Sequence, residues 1–174
     1  MNKLIVAVFA LMAIASAMPS LVSSKGKLES STKSAQKNVM DSAEPASVTT
    51  ASGEAHLKAN DQGHFIADFK MNGRTVTALV DTGASMVAIN KSTARKLGIN
   101  VSPSDFKYEV NTANGKTKVA GAIIREITIG RVKVRDVEAA VMDDKALDGT
   151  LLGMTFLKQL RSFGVTDGEL VLKQ

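Results

Sequence analysis

The sequence predicts a mostly β fold, a small closed β-barrel or sandwich with one or two short helices, and three observations support this. From Gly63 onward, short apolar runs alternate with turn signals such as Asn72-Gly73, Asn114-Gly115 and Asp167-Gly168. Hydrophobic residues make up 44% of the 174-residue chain, which is enough for a core. Only 4% of the residues are aromatic and none is Trp, so the core must be aliphatic.

The first half of this region contains three apolar runs and one helical segment. The predicted elements are strands over 64–69, 74–80 and 86–89 and a helix over 92–97. Asn72-Gly73 joins the first two strands as a hairpin turn. The side chain of Asn90 can cap the helix, and Gly98 ends it.

The second half continues with paired strands and a second helix. The predicted elements are strands over 107–112, 117–124, 126–129 and 132–142, a polar loop over 143–149, a helix over 154–160, and closing strands over 163–165 and 169–172. Asn114-Gly115, Gly130 and Asp167-Gly168 supply the turns between successive strands.

The N-terminal segment has the pattern of an export signal. Lys3 precedes an apolar stretch that runs to Ala15, and Ala15-Ser16-Ala17 offers the small residues that a signal peptidase requires. Residues 1–17 are therefore expected to be a cleaved signal peptide, and the alternative is an uncleaved membrane anchor extending to about Val22. Residues 18–60 are rich in Ser, Thr, Ala and Lys, which predicts a flexible linker before a domain over 61–174.

Composition limits the chemistry available to the chain. Cysteine is absent, so no disulfide and no thiolate nucleophile is possible, and His56 and His64 are the only histidines. We expect no metal and no other cofactor. The net charge of +5 is scattered, and Tyr108 is the only Tyr, so the sequence lacks the basic stripe or stacking platform of a nucleic-acid-binding surface.

One carboxylate stands out by its setting. Asp81-Thr82-Gly83-Ala84 directly follows the apolar run 77–80, which places Asp81 on a tight loop at the end of a buried strand. Two carboxylates about 3 Å apart share one proton, so one can activate a water while the other polarises a carbonyl. Asp148-Gly149-Thr150 and Asp167-Gly168-Glu169 have the wrong residue order to supply a second copy. A two-fold homodimer would supply it, because a residue on the axis meets itself.

Several segments of the chain, taken together and in their order along the sequence, resemble a known family. The segment 79–85, Leu-Val-Asp-Thr-Gly-Ala-Ser, resembles the active-site loop of retropepsin-like aspartic proteases. Leu151-Leu152-Gly153 is similar to the second signature of that family, and residues 112–116 occupy the position of its flap. The run 151–157 is similar to the bacterial, exported, single-domain branch, and the resemblance covers residues 63–174.

The resemblance implies a role for each matching residue. Asp81 would be the catalytic carboxylate, and Thr82 would form a hydrogen bond across the dimer. Gly83 would let backbone N–H groups approach the carboxylates, and Ala84 would line the floor of the cleft. Leu152 and Gly153 would support the loop from behind. The flap that closes over bound peptide would consist of Thr112, Ala113, Asn114 and Gly115. Viral members pair an acidic residue with an Arg at positions that here hold Ser85 and Met154, so that ion pair is absent.

Two functions follow from the resemblance. The first is a homodimeric aspartic endopeptidase with peptide or protein substrates. The second is a catalytically idle member of the same fold that binds peptides or dimerises. The intact Asp81-Thr82-Gly83 triplet favours the enzyme. The export signal and the bacterial branch together imply a periplasmic location, with anchoring in the inner membrane as the alternative.

Overall fold

The fold is seen in a computed structural model that describes residues 45–46, 48–51, 53–112 and 115–174. The predicted signal peptide over 1–17 and the predicted linker up to residue 44 lie outside the described residues, as do Ala113 and Asn114 of the predicted flap. Within the described part of the chain, no helix is both long enough and apolar enough to cross a bilayer.

Strands dominate the described chain, as the sequence predicted. They are β1 (Val48–Ala51), β2 (Glu54–Lys58), β3 (Ile66–Met71), β4 (Arg74–Val80), β5 (Val87–Asn90), β6 (Tyr108–Thr112), β7 (Gly115–Ile129), β8 (Val132–Met142), β9 (Thr150–Leu152), β10 (Ser162–Thr166) and β11 (Glu169–Lys173). The helices are α1 (Lys91–Lys96) and α2 (Met154–Leu157), and Pro103–Asp105 forms a single 3-10 turn.

The larger sheet closes on itself, which confirms the predicted barrel. Its seven strands follow the order β3-β4-β9-β5-β8-β7-β6, and β7 also pairs with β3. That last contact joins Lys70 to Thr128 and Met71 to Ile127, so the sheet has no open edge on that side. Strand β6 pairs only with the first part of β7 and extends from the barrel as a hairpin.

Local turn and cap chemistry matches the sequence predictions in the first half of the domain. Asn72 and Gly73 both have positive φ, 47° and 78°, which is the type I′ geometry that a two-residue hairpin requires. The Asn90 side chain accepts a hydrogen bond from the Thr93 N–H at 2.8 Å and caps α1. Gly98, with φ 72°, follows the end of that helix.

The predicted break between strands 117–124 and 126–129 is wrong, because β7 is continuous from Gly115 to Ile129. Its partner β8 keeps one register along the hairpin, from Ala120 opposite Val141 to Ile129 opposite Val132. The exposed charge of Arg125 interrupts the apolar pattern of the sequence without interrupting the strand. Pairing with β8 on both sides of Arg125, Ile124 with Val137 and Glu126 with Arg135, keeps the strand in one register.

The prediction of a linker up to residue 60 is also wrong at its C-terminal end. Strands β1 and β2 form a hairpin, and β2 lies antiparallel to β11 with Leu57 opposite Leu170. Ala55 and Leu57 are fully buried. The apolar alternation of β2 covers only five residues and is too short to be decisive in sequence. The long-range contact with β11 makes it a strand.

The C-terminal part of the barrel differs from prediction in two elements. Thr150–Leu152 forms the short strand β9, parallel to β4 and antiparallel to β5. The sequence analysis predicted no strand here, only residues that lead into the following helix. Helix α2 ends at Leu157 rather than at residue 160. Phe156 of α2 is fully buried and contacts Phe69 edge to face, with ring centroids 6.2 Å apart. This contact fixes α2 against the core.

Candidate active site

The loop after β4 holds the Asp81 carboxylate in a tight turn. The Gly83 N–H donates a hydrogen bond to Asp81 Oδ1 at 2.8 Å, and the Ala84 N–H donates to the Asp81 carbonyl at 3.3 Å. The Asp81 N–H itself donates to the Leu152 carbonyl at 3.2 Å. Both the backbone and the side chain of Asp81 are therefore positioned by main-chain groups, which do not change rotamer.

The sequence around Asp81 explains why a buried strand ends in an accessible carboxylate. Val80 is buried and pairs with Leu152 of the parallel strand β9. Asp81 is half-buried, and Thr82 and Gly83 are exposed. The apolar strand anchors the loop in the barrel, and the polar residues that follow leave the core at once.

Gly153 packs directly behind this loop, backbone against backbone. A Cβ atom at residue 153 would lie 2.4 Å from the Met86 carbonyl oxygen and 2.6 Å from that of Ala84. The next residue, Met154, donates its N–H to the Ala84 carbonyl at 2.9 Å. Only glycine fits at position 153, so the second signature segment and the Asp81 loop form one packed unit.

Thr155 is a loop-supporting residue that the sequence did not single out. Its Oγ1 accepts a hydrogen bond from the Val87 N–H at 2.9 Å and donates one to the Glu138 carbonyl at 2.7 Å. One hydroxyl therefore joins α2 to β5 and β8. The only signal in the sequence is a small hydroxyl residue two positions after Gly153, which is too common a pattern to indicate a function.

A cleft of about 380 Å³ opens beside the carboxylate. Asp81, Gly83 and Ala84 line it together with Thr112 of the β6–β7 hairpin, so the structure brings these predicted residues together. Most of the other lining residues are apolar and were not predicted as site residues: Met86, Ala88, Val110, Ala140, Met142, Ala146, Leu147 and Leu151. The cleft combines one carboxylate with a largely apolar wall.

The remaining predicted residues that the structure describes lie around this cleft without lining it. Leu152 is fully buried behind the loop, and its carbonyl oxygen accepts a hydrogen bond from the Asp81 N–H. Gly115 is exposed and pairs with Thr112 at the end of the β6–β7 hairpin, where Thr112 Oγ1 donates to the Gly115 carbonyl at 2.8 Å. An ion pair of 2.9 Å between Lys116 and Glu109 joins the two strands of this hairpin.

A segment after β8 forms another part of the cleft wall. Asp143 accepts a hydrogen bond from Lys91 Nζ at 2.8 Å, and Asp144 accepts from the N–H and the hydroxyl of Ser92 at 2.9 Å each. These contacts tie the segment that carries Leu147 to the start of α1. The Lys91 hydrogen bond, with a second one from the Lys145 N–H, holds the pKa of Asp143 below its usual range.

The charged side chains near the site do not resemble a metal centre. Among the residues that the structure describes, no three His, Asp or Glu side chains lie close enough to hold a metal ion. None of the ion pairs found in the described chain includes Asp81. Asp81 is the one carboxylate among the residues that line the cleft, and a backbone N–H holds its side chain.

Comparison with known proteins identifies the same region. A family model described as "gag-polyprotein putative aspartyl protease" matches residues 67–159, more than half of the chain. This stretch includes the Asp81 loop, the β6–β7 hairpin and Gly153. It also contains every residue that lines the cleft beside Asp81.

Two curated relatives are similar to more than two thirds of the chain. The chain is 36% identical over 120 residues to an uncharacterised protein of a Sinorhizobium species, and 32% identical over 124 residues to one of Rickettsia prowazekii. These matches cover 69% and 71% of this chain but only 52% and 53% of those proteins, so the chain spans about half their length.

The solved structure is a retropepsin-like aspartic protease from Rickettsia conorii, 31% identical to this chain. It superposes with a TM-score of 0.61 over 72% of this chain and 94% of the other. The Asp81 loop, its support by Gly153 and the closed barrel agree with the family match. The chain belongs to the retropepsin-like aspartic protease family.

Proposed function

We propose that this chain is an aspartic endopeptidase whose active site assembles from two copies of Asp81 in a homodimer. The observation that supports this best is the setting of the carboxylate. Asp81 Oδ1 is fixed by the Gly83 N–H at 2.8 Å, yet the residue remains half-exposed on a cleft shared with the β6–β7 hairpin. A nucleophile-activating group requires this combination of rigidity and access.

A single carboxylate does not explain peptide hydrolysis, and a pair does. When two Asp81 side chains meet on a two-fold axis, repulsion between like charges keeps one proton on the pair. The ionised carboxyl removes a proton from water, and the protonated one donates a hydrogen bond to the scissile carbonyl. Neither a metal ion nor a covalent intermediate is needed for this reaction.

The cleft also offers apolar surface to the side chains of a peptide substrate. Its apolar wall, formed by residues such as Val110, Met142 and Leu151, can bury side chains of an extended chain. Thr112 stands on the β6–β7 hairpin, whose strand edges can donate and accept main-chain hydrogen bonds. The proposed substrate class is therefore an extended or unfolded polypeptide.

Substitution of the carboxylate tests this proposal. Asp81→Asn removes the ionisable group while keeping the shape, so cleavage of a denatured protein is expected to fall to background. Asp167→Asn is the matched control, because Asp167 is an exposed turn residue with φ 52°, a conformation that Asn tolerates. Wild-type protein that binds peptides without cleaving them would contradict the proposal and favour the idle peptide-binding module.

We also propose that the chain is exported, with cleavage after Ala17 and a mature protein that begins at Met18. The support is the N-terminal pattern of Lys3, the apolar run to Ala15 and the small residues that follow. N-terminal sequencing of protein from a periplasmic fraction tests this. An intact Met1 on protein released only by detergent would favour the membrane-anchored alternative, and an intact Met1 in the cytoplasm would contradict both.

A further inference from the structure

Another groove, of about 590 Å³, lies beside the start of β8 and is lined by cations. Arg131, Lys133 and Arg135 all line it, and all three are exposed. Gln159 and Gln174 also line it, and their amide groups can donate hydrogen bonds to an anion. Among the described residues that line this groove, none has a carboxylate side chain or an aromatic ring. The groove therefore offers positive charge and donors without the stacking surface of a nucleic-acid site.

The three cations follow the two-residue period of a strand. Arg131 directly precedes β8, and Lys133 and Arg135 lie on it. They alternate with Val132 and Val134, which belong to the central core, so the charged side chains share the outer face. Alternate residues of a strand are about 6.6 Å apart. Carboxylates at alternate positions of an extended polypeptide have the same spacing, so such a segment can place one opposite each cation.

A carboxylate of the chain itself already contacts two of these cations. Glu126 Oε2 lies 3.2 Å from Lys133 Nζ and 3.5 Å from Arg135 Nε. The Lys133 hydrogen bond holds the pKa of Glu126 below its usual range, so this carboxylate is charged at neutral pH. Arg131 takes part in none of the ion pairs found in the described chain. Two of the cations can therefore hold a carboxylate, and the third is left for another.

The groove also follows an edge of β8 that has backbone donors to offer. Strand β7 occupies the other edge, and β5 pairs with β8 only from Ala139 to Met142. The Lys133 N–H donates to Gln174 Oε1 rather than to a strand. The Arg135 N–H, two residues later, points to the same edge. An extended segment can therefore receive main-chain hydrogen bonds here while the cations bind its side chains.

We propose that this groove binds an acidic stretch of an extended polypeptide, as a second contact for the substrate of the proposed endopeptidase, on which this inference rests. The substrate is the chosen occupant because Ala140 and Met142, farther along β8 and also outside the central core, line the Asp81 cleft. Lys133 and Ala140 are seven residues apart, about 23 Å along the strand. The exposed Glu138 between them repels acidic residues close to the scissile bond. The favoured substrate therefore has its acidic stretch about seven residues from the bond that is cut.

Binding of short peptides to the full chain with Asp81→Asn tests the groove without hydrolysis. The probes are fluorescein-labelled Glu-Val-Glu-Val-Glu, the clustered form Glu-Glu-Glu-Val-Val, and Lys-Val-Lys-Val-Lys, and fluorescence anisotropy is measured. The alternating acidic probe should bind about tenfold more tightly than the lysine probe and about threefold more tightly than the clustered one. A uridine oligonucleotide that binds more tightly than the alternating probe would overturn the choice of a polypeptide.

Changes of charge in the groove give a second measurement. The triple variant Arg131→Gln, Lys133→Gln, Arg135→Gln should lose about tenfold in affinity for the alternating acidic probe. Glu126→Gln frees two of these cations, so it should tighten binding about threefold. A control with the same change of charge replaces three exposed lysines outside the groove: Lys58→Gln, Lys118→Gln and Lys145→Gln. Equal losses in the two triple variants, or binding that Glu126→Gln does not tighten, would overturn the inference.

Cleavage separates the failure of this inference from the failure of the proposed function. For the wild type, an acidic stretch at the favoured distance should lower KM about tenfold and leave kcat unchanged, and the triple variant of the groove should abolish that difference. Binding of the acidic probe by a chain whose wild type cleaves no protein would contradict the endopeptidase and leave the groove standing. Cleavage without any preference for the acidic stretch, and without binding of the acidic probe, would contradict the groove and leave the enzyme.

Discussion

At the scale of a single residue, Gly153 leaves no space for a side chain. We expect Gly153→Ala to lower the free energy of unfolding by about 1–3 kcal/mol, because its Cβ would press on two backbone carbonyls that cannot rotate away. Urea unfolding measures this. Gly121→Ala is the control, since its Cβ would make an ordinary 3.5 Å contact with Tyr108. Equal stability of the two variants would contradict the packing described here.

The sequence predicted the residues of the loop and two residues behind it, Leu152 and Gly153, but it missed a third supporting residue. Asp81, Gly83 and Ala84 were named from the motif, and they line the cleft with Thr112. Thr155 was missed, because its two hydrogen bonds join segments that are far apart in sequence. A polar side chain that acts through distant backbone groups leaves no local pattern.

At the scale of elements, the β1–β2 hairpin belongs to the folded domain. Leu57→Ala is expected to reduce the free energy of unfolding by about 2–5 kcal/mol, because Leu57 is fully buried opposite Leu170 of β11. Lys58→Ala, at an exposed position of the same strand, should change it by about 0.5 kcal/mol or less. Denaturant midpoints that are the same for both variants would restore the linker interpretation.

The Lys91–Asp143 ion pair, one of the contacts between α1 and the segment after β8, should weaken in acid. Since the Lys91 hydrogen bond lowers the pKa of Asp143 from its ordinary value of 3.8, Asp143 stabilises the fold fully above that pH and ceases to do so as the pH falls through the lowered value. Wild type and Asp143→Asn should therefore differ in urea midpoint at about pH 6 and converge at about pH 2. A gap that widens in acid would contradict this sign.

At the scale of the whole molecule, an active site made from two chains predicts a specific response to mixing. When wild type and Asp81→Asn are combined and allowed to exchange subunits, only dimers with two intact carboxylates should cleave. Activity per total protein should then follow the square of the wild-type fraction, and it should fall on dilution as dimers dissociate. A linear dependence on the wild-type fraction would mean that each chain acts alone.

The sequence by itself determined the fold class, the position of the carboxylate and the turns at Asn72-Gly73, Gly130 and Asp167-Gly168. The predicted Asn114-Gly115 turn differs, because Gly115 already pairs with Thr112 as part of β7. The confirmed features depend on local chemistry: the Asn72-Gly73 turn, the Asn90 cap and the apolar strand before Asp81 each act over a few residues. Turns and caps of this kind depend on only a few neighbouring residues, so they can be read directly from the chain.

Only the tertiary structure decided which segments pair over long distances. It made β2 a strand through β11, made β9 a strand between β4 and β5, and kept β7 continuous through β8. It also placed Met86, Val110 and Leu147 on one cleft with Asp81. Pairing and packing between remote segments depend on the whole barrel closing, and a five-residue or three-residue stretch contains too little pattern to predict them.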